Sequence, residues 1–288
     1  MMANKYPKVF IIVLNYNGGR YISDCLNSLY KIDYPNFEII VVDNASTDGS
    51  LEMICRQFSR CYFIKNEENL GFSIGNNLGI RYSLEKMADW ILLLNPDTLA
   101  RSDFLTKLIE AAISETRAGI LSPVIMDAKD KIWFSGGRIN WWKMKVVHSC
   151  HIKRTLPYET EIVSGCAMLI KSGLFKEIGL LDEDFFLYWE DIDLSVRARQ
   201  SGYSLLVVPE SRIIHLEKSE EKKAGKIYWL VISGLIFFKK NSNMFNRFWI
   251  KIYYQLRKYK NKKDLNNSKN KMAQAVKRAY DDFEKYVR

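Results

Sequence analysis

IIVVDNASTDGS at residues 39–50 decides the fold. Four apolar, mostly β-branched residues run straight into Asp43, and the seven positions after it are small, polar or turn-forming. A buried strand that stops at such a turn leaves its last carboxylate at the rim of a sheet. WILLLNPDT at 90–98 repeats the pattern and brings out Asp97. Strand ends are where open α/β folds bind ligands. FFLYWEDIDLSVR at 185–197 lacks an apolar strand and reads as the acidic first turn of a helix.

Outward from these stretches the chain alternates. VFIIVLNYN at 9–17 is a strand broken by Asn17-Gly18-Gly19, and Tyr21, Ile22, Cys25, Leu26 and Leu29 recur at helical spacing after it. FEIIVV is a second strand, and Ser46-Thr47-Asp48 can cap a helix carrying Leu51, Ile54, Cys55 and Phe58. CYFIK is a third strand, Gly71 to Leu84 a helix despite its glycines, and WILLLN a fourth strand. This rhythm predicts a mainly parallel sheet with helices on both faces. A helix around Phe104 to Ser114 and strands at 119–126, 161–170 and 205–209 follow, with residues 127–160 an irregular excursion shaping a second binding surface.

The 288 residues are 48% apolar, enough for a substantial core and one main domain with an appendage. Five cysteines without CxxC spacing, Cys25, Cys55, Cys61, Cys150 and Cys166, disfavour a disulfide framework or zinc site and favour a reducing, cytoplasmic location. No apolar signal core precedes Val9. Of the net charge of +10, residues 241–288 supply +9, with 13 Lys and Arg against 4 Asp and Glu, so a nearly neutral body carries a basic tail. That neutrality argues against a nucleic-acid partner, which needs a basic surface on the folded body.

Asp43 has two readings that stand level. It either holds a turn or accepts the imide N–H of uracil or thymine, while Asn44, Ser46 and Asp48 read as turn and capping chemistry. Asn69 and Gly71, before a helix rich in Gly and Asn, either let a ligand approach the backbone or let the helix pack closely on the sheet. Asp97, after a strand-halting Pro96, suits a hard cation completed by phosphate oxygens. Glu190, Asp191 and Asp193 exceed what a helix dipole needs, and the flanking Phe185, Phe186, Tyr188 and Trp189 offer water-excluding walls. His215, after Ile213-Ile214, reads by itself as a buried structural histidine.

Taken in order, VLNYN, VVDNASTDGS, NLGFSIGNN, LLLNPDT, SGCAMLI, YWEDIDLSVRARQSGY and His215 resemble the family-2 glycosyltransferases of GT-A fold, and their rhamnosyltransferase-like branch in particular, over residues 8–220. The resemblance implies a Rossmann-like nucleotide half and an acceptor half in a catalytic domain, residues 1–222, with a helical extension, residues 223–288. It implies inverting transfer of a sugar, rhamnose by the branch, from a dTDP- or UDP-sugar to a glycan or lipid-linked cell-envelope acceptor. By the same resemblance Leu14, Asn15, Asp43, Asn69 and Gly71 hold the nucleotide, and Gly165 and Cys166 shape the sugar pocket. Asp97, Asn95 and His215 hold Mg²⁺ or Mn²⁺, with Asn95 where the family's DxD has its first Asp, so that Asp97 is the main carboxylate ligand. Asp191 matches the catalytic base, with Glu190, Asp193 and Trp189 around it for acceptor orientation or helix support. A catalytically inactive nucleotide- or glycan-binding relative is the alternative.

In the tail, IYWLVISGLIFF at 227–238 is too short to span a bilayer. Phe245, Phe248, Trp249, Ile252, Tyr253 and Leu256 then recur at helical spacing among basic residues. Such a helix lies on anionic lipid at the inner face of a cell membrane, or packs against the catalytic domain or a second subunit as a homodimer.

Overall fold

The computed structural model describes residues 6–216, 223–265 and 270–287. The division expected after residue 222 falls next to residues outside this range.

The first half is built of β1 (Val9–Asn15), α1 (Ile22–Leu29), β2 (Phe37–Asp43), α2 (Ser50–Gln57), β3 (Tyr62–Lys65), α3 (Gly71–Glu85), β4 (Trp90–Leu94), β5 (Thr98–Ala100), α4 (Phe104–Ser114) and β6 (Ala118–Asp127). Then come β7 (Ile132–Phe134), β8 (Gly137–Asn140), β9 (Lys145–His148), β10 (Tyr158–Glu159), β11 (Ala167–Lys171), α5 (Ser172–Ile178), α6 (Glu190–Gln200) and β12 (Ser204–His215). Three C-terminal helices follow, α7 (Lys223–Asn241), α8 (Met244–Asp264) and α9 (Lys271–Val287).

The main sheet runs β10-β12-β6-β11-β4-β1-β2-β3, with β5 on β12 and β7 on β6. Strands β4, β1, β2 and β3 are mutually parallel, and β11 is antiparallel to both β4 and β6. Every β1 residue but Leu14 is buried, as a strand covered on both faces must be. Val9, Ile11 and Val13 face the core with α1, α2 and α4, while Phe10 and Ile12 face the one with α3, α5 and α6. α3 lies so close to β1 that a Cβ on Gly79 would stand 2.8 Å from Ile12. The small residues of α3 beyond its first turn therefore serve helix-on-sheet packing.

Two expectations change. Residues 161–166 form no continuous strand: Ile162 makes a single bridge to Gly137, Val163 is buried in loop conformation, and the chain turns between Ser164 and Ala167, where β11 begins. The excursion at 127–160 is ordered, with β8 and β9 forming a separate antiparallel hairpin. β12 also runs past Pro209 to His215 across a register shift between Val208 and Arg212.

The C-terminal helices share a core with the loop that precedes α6. Phe237 and Phe238 of α7 pack on Trp189, whose indole Nε1–H donates to the Leu230 carbonyl at 3.0 Å. The Phe186 ring stacks on Trp229 at 4.3 Å. Among the described residues no helix is long and apolar enough to cross a membrane.

Candidate active site

Asn15 and Asp43 end adjacent parallel strands in register. The Asn15 Nδ2 group donates to Asp43 Oδ1 at 2.7 Å and reaches Ser46 Oγ at 3.0 Å and Ser50 Oγ at 2.9 Å. Ser46 closes the turn, its Oγ donating to Asp43 Oδ1 at 2.7 Å and its main-chain N–H to Asp43 Oδ2 at 2.9 Å. An ionised carboxylate offers about four acceptor positions. Two are taken by Ser46 of the turn and one by Asn15 of β1, so Asp43 holds the turn and keeps one position, on Oδ2, that a base N–H could fill. Both readings of Asp43 are compatible with that geometry.

Asn44 links the strand end to the next loop. Its Oδ1 accepts from Asn66 Nδ2 at 2.7 Å, and its Nδ2 donates to the Gly71 carbonyl at 2.9 Å. Asn69 Oδ1 accepts the Gly71 N–H at 3.0 Å. Gly71 adopts φ of +79°, and a Cβ there would stand 2.5 Å from the Phe186 carbonyl oxygen, so the position admits only glycine. Asn44 thus does more than turn chemistry, Phe186 meets Gly71 through its carbonyl as well as offering an aromatic flank, and Asn66 carries no signal in the sequence. Only the three-dimensional closure of 66–71 on 186 reveals them.

The second corner joins β4, β5 and β12. Asp97 Oδ2 lies 3.1 Å from His215 Nε2, because β5 pairs antiparallel with β12 and sets Thr98 opposite His215. Asp97 Oδ1 and His215 Nε2 are both buried and have no hydrogen-bond partner. Buried polar atoms are almost always satisfied, so such a pair marks a place for a ligand. A carboxylate and an imidazole nitrogen with open lone pairs fit a divalent cation whose other positions are filled by phosphate oxygens and water. Among the described residues no three His, Cys, Asp or Glu side chains converge to hold a metal unaided. Asn95 shapes this corner through its backbone, its N–H donating to the Cys166 carbonyl at 2.9 Å and its carbonyl accepting from Thr98 Oγ1 at 2.8 Å. The Trp133 ring, 5.0 Å from the His215 ring, covers the histidine. Burial pushes the neighbouring Cys25 thiol up to about 12.

The third corner is the start of α6. Tyr188 and Trp189 both take left-handed backbone conformations, φ of 67° and 74°, which cost about 1–3 kcal/mol each and concentrate at functional sites. They deliver Asp191 to the Ser164-Gly165 turn, where the Gly165 N–H donates to Asp191 Oδ2 at 2.7 Å and the Ile192 N–H to Oδ1 at 2.8 Å. Burial raises the Asp191 carboxyl above its ordinary range, against the pull of these two N–H groups. Burial raises Glu190 much further, and the Asp191 charge adds to it. Both shifts favour the protonated form, and the stronger one is on Glu190.

The other two acidic-turn candidates point elsewhere. Asp193 is bound to Arg197 at 2.6 Å and accepts from Asn241 Nδ2 at 2.9 Å, a helix-supporting arrangement. Trp189 turns its ring into the α7 core rather than lining an open wall. Gly165 and Cys166 connect the corners, since the Cys166 carbonyl accepts from the Asn95 N–H and the Gly165 N–H donates to Asp191. Leu14 sits against α3, where a Cβ on Gly75 would be 2.6 Å from its Cδ1.

A profile of glycosyl transferase family 2 matches residues 10–179. An N-acetylglucosaminyl-diphospho-decaprenol L-rhamnosyltransferase of Mycobacterium tuberculosis is 25% identical over 71% of this chain and 75% of its own length. The rhamnosyltransferase WbbL of Escherichia coli is 29% identical over 72% of this chain and 83% of its own. The fold matches that of the mannosyltransferase PcManGT from Pyrobaculum calidifontis, solved with GDP-Man and Mn²⁺, with a TM-score of 0.62 at 17% identity over 95% of this chain and 86% of that one. A mainly parallel sheet with helices on both faces, ligand-facing strand ends and this matching stretch lead to one conclusion: the chain belongs to glycosyl transferase family 2, as a rhamnosyltransferase-like glycosyltransferase of GT-A fold.

Proposed function

We propose that the protein moves a sugar, with inversion, from a dTDP- or UDP-sugar to a hydroxyl of a lipid-linked glycan, with Asp191 as the base. The observation that carries this reading is the setting of Asp191, held at both oxygens by main-chain N–H groups and raised in proton affinity by burial. A carboxylate in that state is a stronger base than one at an exposed helix start, and it needs no acceptor to make it so. Each oxygen keeps an acceptor position for the incoming hydroxyl.

Asp97 and His215 would hold the cation, with Asn95 setting the backbone of that corner. A bound Mg²⁺ or Mn²⁺ supplies positive charge for the departing diphosphate. The chain's own part is to shape that corner and to keep Asp191 aligned through the Gly165-Cys166 turn. Asn15, Asp43, Asn69 and Gly71, with Leu14 beneath, form the proposed nucleotide wall. Rhamnose and a lipid-linked acceptor are favoured by the names of the similar proteins, and such an acceptor places the enzyme at the cytoplasmic face of a membrane.

A thermal-shift panel of UDP, dTDP, GDP and ADP, each with and without Mn²⁺, tests the donor half. Metal-dependent stabilisation by UDP or dTDP is expected, because a ligand stabilises a protein only by binding its folded state. Stabilisation without any transfer to lipid-linked glycans would favour an inactive binding module instead.

A further inference from the structure

The surface of α8 carries the strongest unassigned feature of the molecule. Met244, Phe248, Ile252, Leu256 and Tyr259 follow one another at four, four, four and three residues and are all exposed, Phe248 by 72% and Leu256 by 57%. That spacing keeps them on one side of a helix with 3.6 residues per turn. The opposite side is accounted for: Tyr254 packs edge-on against Tyr280 of α9, Asn261 Nδ2 donates to the Ala273 carbonyl at 3.0 Å, and Lys258 pairs with Glu284. The apolar stripe therefore faces away from α9.

The expected amphipathic face divides here. Phe248, Ile252 and Leu256 are on the stripe, whereas Trp249 turns aside and donates its Nε1–H to the Trp142 carbonyl at 2.8 Å. The side chain of Phe245 lies outside the described residues. Trp142, at the tip of the β8–β9 hairpin and 66% exposed, packs against Trp249 at 5.5 Å and carries the apolar surface from α8 onto the hairpin.

We infer that the exposed face of α8 is a docking surface for an anionic lipid bilayer, on which the helix lies flat. Charge chooses this occupant over a second copy of the chain. α8 carries seven Lys and Arg against one Asp, with exposed Lys251, Lys262 and Lys263 bordering the stripe. Pairing two such faces would bring like charges together, whereas an anionic headgroup layer offsets them while the acyl boundary takes Phe248 and Leu256. α8 is not apolar enough to cross the membrane. The inference rests on the acceptor half of the proposed function, since a lipid-linked acceptor is presented at such a surface.

The test is sedimentation of the full chain with vesicles of phosphatidylcholine alone and of phosphatidylcholine mixed with phosphatidylglycerol, at low and high salt. Binding to the anionic vesicles at low salt is expected, weakened about fivefold by each of Lys251→Gln and Lys262→Gln. Phe248→Glu with Leu256→Glu should abolish it with an unchanged melting temperature, since both side chains are exposed. Absence of wild-type binding at low salt, full binding by the double variant, or light scattering showing a dimer that the double variant dissolves would each overturn the inference. The metal-dependent nucleotide shift, read on the same proteins, reports separately on the donor site and should be identical in all of them.

Discussion

The main-chain N–H of Gly165 donates to Asp191 Oδ2 at 2.7 Å, and this one contact ties the end of the sheet to the start of α6. A Cβ on Gly165 would stand 3.3 Å from the Asp191 Cβ, so the turn sets where the carboxylate sits. Gly165→Ala should displace Asp191 by a few tenths of an ångström and lower kcat by about 10- to 100-fold, since misplaced reacting groups are costly. Little change in nucleotide-induced thermal shift is expected. An unchanged kcat would mean that the turn does not position the base.

Glu190 gives a pH prediction with a definite sign. Its folded proton affinity is raised by burial and by Asp191, so the folded state holds a proton that the unfolded chain releases in the ordinary glutamate range. The stability linked to that proton is full below the ordinary range and is lost as pH rises through the raised value. Glu190→Gln keeps the shape and the neutrality, so its melting temperature should gain on wild type as pH rises. A constant difference across pH would show that Glu190 titrates alike in the folded and unfolded chain and would contradict the raised proton affinity.

Asp97 and His215 should separate folding from metal binding. Asp97→Asn places an amide donor next to His215 Nε2, which lies 3.1 Å from Asp97 Oδ2 but makes no hydrogen bond in the wild type. Melting without ligand should therefore be unchanged or higher, while the Mn²⁺-dependent part of the nucleotide shift disappears. Retention of that part would remove Asp97 from the cation site.

Gly71→Ala tests the proposed nucleotide wall. With φ of +79° and the Phe186 carbonyl 2.5 Å from the added Cβ, the variant should lose about 1–3 kcal/mol in denaturant unfolding. It should also weaken the nucleotide shift, because Asn69 and Asn44 both bond to Gly71.

What was legible in the sequence was local. Strands β1, β2 and β4 show as β-branched or leucine-rich runs cut off by turn residues, and Asp43 at the end of β2 and Asp97 three residues past β4 follow from that pattern, whereas Asn15 comes from the family resemblance. The 161–166 segment misled because Ile162, Val163 and Cys166 are apolar for burial in a loop, and apolarity alone does not distinguish loop from strand. The pairing of His215 with Asp97 depends on the three-residue β5 lying against β12, a contact across more than a hundred residues that no local period announces. Trp189 has the composition of an open aromatic wall, and only the docking of α7 shows that its indole belongs to the core.

The most direct test of the account is the rate of sugar transfer by Asp191→Asn, measured with the nucleotide sugar selected by thermal shift and a lipid-linked glycan acceptor. The account predicts a loss of about 10²- to 10⁴-fold in kcat with the metal-dependent nucleotide shift intact, the signature of a missing general base in a folded, donor-binding enzyme. Transfer at the wild-type rate would contradict it and remove Asp191 from the base role.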